Sequence, residues 1–147
     1  MLNDSQEKKL SYVQITTNKK DIDTLYSLLQ ERSYSISHTS IPSYEEHSNF
    51  VKKNPYRAWY FIIESKKILG SVYVSYENII GIQLMSPTKD LYVNSLNYII
   101  KNYQPMPGIK SIRSKYFHIN IPWSDKNLID LLTVLGLKPV ELTFILE

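Results

Sequence analysis

The chain has 147 residues, 43% of them hydrophobic, with a net charge of +3 and no cysteine. That length and composition suit one domain large enough for its own core. The absence of cysteine excludes disulfides, a thiolate nucleophile and a cysteine-ligated zinc. No apolar run approaches the ~20 residues needed to span a bilayer. The first ten residues, MLNDSQEKKL, lack the apolar centre of a signal peptide. A cytoplasmic protein without a membrane partner is therefore expected, with residues 1–10 as a flexible arm and 11–147 as a single domain. Lysine and arginine are scattered and no aromatic RNA motif is present, so no nucleic-acid partner is expected. A weak positive field can still attract an anionic ligand such as a CoA ester.

Taken in order, Ser11–Thr16 alternates and reads as a first strand. Asn18 or Asp21 can cap a helix running to about Arg32, with Ile22, Leu25, Tyr26, Leu28 and Leu29 on its buried side. Residues 33–41 are polar and irregular. Ser43-Tyr44-Glu45-Glu46 is an S-x-x-E capping box, opening a helix with His47, Phe50 and Val51 on one face; Asn54-Pro55 ends it. Trp59–Ile63 is a strand, turned at Ser65-Lys66-Lys67 into a second strand, Leu69–Tyr76. A tight turn at Glu77-Asn78 leads into a third, Ile79–Met85.

A helix follows from about Lys89 to Tyr103, with Leu91, Ser95, Leu96, Ile99, Ile100 and Tyr103 on one apolar face. Its N-terminus points back at the end of the preceding strand, where an anionic cofactor would sit. Gln104–Gly108 is a breaker. Ile112–Ile121 alternates and predicts a strand. Ser124 or Asp125 caps a last helix, with Gly136 as a C′ residue of positive φ. Val140–Leu146 predicts a closing strand, which can also pair between subunits as a homodimer. The order implies an α+β protein: a mixed, mainly antiparallel sheet with helices on both faces. Parallel pairing is expected between Ile79–Met85 and Ile112–Asn120.

This order resembles the GNAT superfamily of N-acetyltransferases over nearly the whole chain after residue 10. One segment that carries the resemblance runs from His38 through Pro42-Ser43-Tyr44-Glu45-Glu46-His47 and Phe50-Val51 to Pro55-Tyr56-Arg57-Ala58-Trp59-Tyr60, Leu69-Gly70-Ser71-Val72-Tyr73 and Ile80-Gly81-Ile82. It looks like a subgroup associated with modified surface sugars. The other is Asn120-Ile121-Pro122-Trp123-Ser124-Asp125-Lys126-Asn127, followed by Leu131 to Lys138 with its Leu-Gly-Leu triplet. The resemblance implies an acyl-CoA-dependent N-acetyltransferase acting on a primary amine of a small molecule, such as an amino sugar. The alternative is an inactive GNAT-like domain that binds a ligand or a protein.

The resemblance also implies site residues. Acetyl-CoA would lie along the backbone of Gln83, Leu84 and Met85. Its pyrophosphate would sit against Thr88, Lys89, Asp90, Leu91 and Tyr92, with Asn120 and Asp125 nearby. The family's Gly-rich signature has no glycine here, and glycine is what lets backbone approach phosphate closely. Leu132 stands where the family often has a tyrosine acid. His118, Glu45 and His38 are candidate bases, because histidine and carboxylate groups suit proton transfer, and Tyr116, or else Tyr92 or Tyr98, is the candidate acid. Each has a plainer reading: His38 bonding its own loop, His118 satisfied within a sheet, and Glu46 and His47 as a cap and a packed helix residue. The three histidines are dispersed, so no metal site is expected.

Overall fold

Four strands form one antiparallel sheet in chain order: β1 (Leu10–Gln14), β2 (Ala58–Glu64), β3 (Lys67–Val74) and β4 (Ile80–Leu84). Four helices accompany it: α1 (Lys19–Glu31), α2 (Tyr44–Lys52), α3 (Lys89–Asn102) and α4 (Lys126–Val134). The computed structural model describes residues 9–31 and 41–147. Most of the N-terminal arm, and His38 with most of its loop, lie outside the described residues.

Short side-chain devices set the element ends. The Asn18 carboxamide accepts the Asp21 amide at 2.8 Å and so starts α1. Ser43 and Glu46 form the capping box of α2. Asp125 caps α4 by accepting the Leu128 amide at 3.1 Å. Gly136, at φ 94°, lets the Leu137 amide reach the Leu132 carbonyl and closes α4 in a Schellman motif. Ser65 and Lys66 both take positive φ, and the tight turn that results pairs Glu64 with Lys67.

Strand alternation divides the core in two. Ile62, Val72, Val74 and Ile80 pack against Leu91, Leu96 and Ile99 of α3 and Leu132 of α4. Phe61, one residue from Ile62, points the other way and joins Ile15, Ile22, Leu25 and Val51 under α1 and α2. Helices therefore cover both faces of the sheet.

Asn78 ties the far loop to this frame. It is fully buried at φ 66°. Its amide nitrogen donates to the carbonyls of Met106 (2.9 Å) and Ser114 (2.8 Å), and its oxygen accepts the Met106 amide at 2.7 Å.

Two expected strands do not form. In place of a strand over 112–121 there is one parallel bridge, Ile79 to His118, and a tight Ile109–Arg113 turn. Ile112 is 74% and Tyr116 65% exposed, so one side of the alternating pattern meets no apolar layer. Side-chain bonds hold the segment instead: Arg113 donates to the carbonyls of Pro107 and Tyr76, and Asn78 to that of Ser114. The parallel ladder expected beside β4 shrinks accordingly to that one bridge. Residues 140–146 are also not a strand. Val140, Phe144 and Leu146 are almost wholly exposed, and the segment pairs with no strand among the described residues. Among the described residues no helix is long and apolar enough to cross a membrane.

Candidate functional site

The sheet face beneath α1 and α2 is built from cross-strand partners: Trp59 opposite Tyr73, and Ser71 opposite Gln83. Opposed residues share a face, so these side chains converge. Above them lies a cavity of about 420 Å³, a volume suited to a small molecule. Leu25, Leu28 and Leu29 of α1 form one wall, and Glu46, His47 and Phe50 of α2 another. Gln83, Leu84 and Met85, at the end of β4, close it.

Four aromatic rings shape the interior. Tyr56 stacks on Tyr73 with ring centroids 3.8 Å apart and planes 7° from parallel. Trp59 stands at 90° to Tyr56 at 4.9 Å, and Phe50 meets both Tyr56 and Trp59 edge-on. Burial pushes the Tyr56 phenol well above its usual range, helped by the Tyr73 hydroxyl beside it, so it stays a neutral hydroxyl.

Two polar groups from α2 face this space. His47 is 8% exposed and packs against the Tyr26 ring. Its Nε2–H donates to the Ile22 carbonyl at 3.2 Å, because a carbonyl can only accept. Burial lowers its pKa, so the ring is neutral at pH 7 and Nδ1 is the acceptor nitrogen. Glu46 sits at the rim. One carboxylate oxygen accepts the Ser43 amide at 3.3 Å, and the other has no partner among the described residues. No lysine or arginine lines the cavity among the described residues.

The site residues expected from the sequence divide into two groups. Gln83, Leu84 and Met85 line the cavity. The others do not. Thr88 is the N-cap of α3, its hydroxyl accepting the Leu91 amide at 3.2 Å. Lys89 and Asp90 are exposed, while Leu91 and Tyr92 are buried in the α3 core. Asp125 is committed to the α4 cap, and Asn120 is exposed. Tyr116 points outward with the Lys115 ammonium over its ring at 5.2 Å. Glu45 is exposed on the first turn of α2.

His118 serves through its backbone: its carbonyl accepts the Ile80 amide and its amide donates to the Asn78 carbonyl, both at 2.9 Å. Its Nδ1 is buried without a partner among the described residues. Beyond this bridge the pairing stops. Strand alternation turns the Ile82 and Leu84 amides the same way as that of Ile80, toward an edge with no strand beside it among the described residues.

Sequence reading gave His47 and Glu46 structural roles and did not group Phe50, Tyr56, Trp59 and Tyr73. The signal was the shared face of residues 59 and 73, which becomes visible only once the strand register is known. No group of three or more His, Asp or Glu side chains that could hold a metal ion occurs among the described residues. No protein-family model matches the chain, and neither does any curated protein.

Proposed function

We propose that this chain is a small-molecule-binding domain on a GNAT-type scaffold, and that the cavity between α1, α2 and the sheet takes a primary amine. The observation that carries the reading is the polar lining: among the described residues it holds one carboxylate with an oxygen to spare (Glu46), a neutral imidazole (His47) and no cationic side chain. An ammonium gains a charge-assisted bond from such a wall, whereas an anion meets a like charge at the rim. The element order from β1 to α3 supports the scaffold assignment.

The groups that would hold an acyl-CoA pyrophosphate do not fit it. Thr88 fills a capping position, Asp90 adds a negative charge in the first turn of α3, and Tyr92 is core. Without glycine the backbone of 87–92 cannot approach phosphate closely.

A second reading, amine acylation by an acyl-CoA, rests on the outer edge of β4. The amides of Ile82 and Leu84 face away from β3, and Leu84 and Met85 also wall the cavity. Calorimetric titration with acetyl-CoA, together with thiol release in the presence of primary amines, separates the two. The chain has no cysteine, so any thiol signal comes from CoA. The binding-domain reading predicts no heat at millimolar acetyl-CoA and no thiol; saturable binding with amine-dependent thiol release would establish the transferase.

A further inference from the structure

We infer that the ligand of this cavity is an amphipathic amine, an apolar ring carrying a single ammonium group, rather than a hydroxyl-rich amino sugar; the inference rests on the amine-binding reading above. Most of the lining away from Glu46 is apolar. Leucines of α1 face the perpendicular pair Tyr56 and Trp59, with Phe50 edge-on to both. Tyr56 and Tyr73 stack on each other, and the hydroxyl of one supports that of the other, so the phenols offer little to an incoming hydroxyl.

A sugar carries several hydroxyls, and each one buried here without a partner costs about 1–3 kcal/mol. Among the described residues the polar side-chain groups left to meet them are few: the spare Glu46 oxygen, His47 Nδ1, and the side chains of Ser71 and Gln83. A flat ring needs none of these and gains from aromatic walls. Its ammonium lies at the rim, where Glu46 is exposed to solvent and neither charge is fully desolvated.

The chain has two tryptophans, Trp59 in the cavity wall and Trp123 on the surface. The Trp123→Phe variant therefore leaves Trp59 as the only indole reporter. Its fluorescence is followed on titration with 2-phenylethylamine, 2-phenylethanol and glucosamine, and repeated in Glu46→Gln, whose amide can still complete the capping box. The expected result is saturable quenching by 2-phenylethylamine. Binding weakens about tenfold when the ammonium is replaced by hydroxyl or the carboxylate by amide. Melting temperatures confirm that both variants are folded. Glucosamine binding tighter than 2-phenylethylamine overturns the inference and leaves the amine reading standing. Equal binding of amine and alcohol, or binding by none of the three, overturns both.

Discussion

Tyr73 lies across Gly81, its cross-strand partner: a Cβ on Gly81 would sit 2.1 Å from the Tyr73 ring. The bare backbone at 81 is what lets the ring lie flat and stack on Tyr56. Gly81→Ala should push the ring off that position. Only a side chain must move, so the stability cost is moderate, about 1–3 kcal/mol. Chemical denaturation measures this loss. Amine affinity, read from Trp59 fluorescence, should fall with it, because the cavity wall moves.

Asn78 should be among the most sensitive polar positions. Asn78→Ala removes the partners of the Met106 and Ser114 carbonyls and of the Met106 amide. At about 1–3 kcal/mol for each buried group left unpaired, the loss should exceed that of Gly81→Ala. Asn78→Gly relieves the positive φ but restores none of these bonds, so it should rescue only part of the loss. Urea unfolding of the two variants tests the order.

Stability should fall on the acid side through His47. Its folded pKa lies below the ordinary value, so the unfolded chain takes up a proton first as pH drops. Above about pH 6.5 the group has no effect; below it, the folded state loses ground until the buried ring is itself protonated. His47→Gln can keep a donor toward the Ile22 carbonyl and does not titrate. The difference in melting temperature between wild type and variant should therefore shift in the variant's favour between neutral pH and pH 5.

Gly136 isolates backbone strain from packing. A Cβ there meets nothing within 4 Å, yet φ is 94°. Gly136→Ala should cost about 1 kcal/mol through the Schellman turn alone. A loss several times larger in thermal unfolding would show that the turn carries contacts beyond its backbone.

Local signals in the sequence marked most of the frame. Ser43 and Glu46, Asn18, Asp125 and Gly136 act within a few residues of themselves, so spacing marked them, leaving only Asp21 and Ser124 as rivals to Asn18 and Asp125. The aromatic and β-branched run Trp59–Ile63 predicted a strand, and Phe61 and Ile62 within it are both buried. Alternation misled at 112–121, and apolar content misled at 140–146. A pattern shows that a segment can pair, not that an edge is waiting for it. The loop before His118 is held by the Asn78 side chain, which joins positions 28 and 36 residues apart. The cavity was hidden for a similar reason: Leu25, Glu46, Trp59, Tyr73 and Gln83 come from five elements, and their meeting depends on register and helix placement.

The account stands or falls on where an amine settles. Amide NMR spectra of isotope-labelled protein titrated with 2-phenylethylamine give that location residue by residue. Shifts concentrated at Glu46, His47, Phe50, Tyr73 and Gln83, reversed by Glu46→Gln, are the predicted result. Shifts centred on Lys89 to Leu91 and the start of α3, with the cavity residues unmoved, would contradict it.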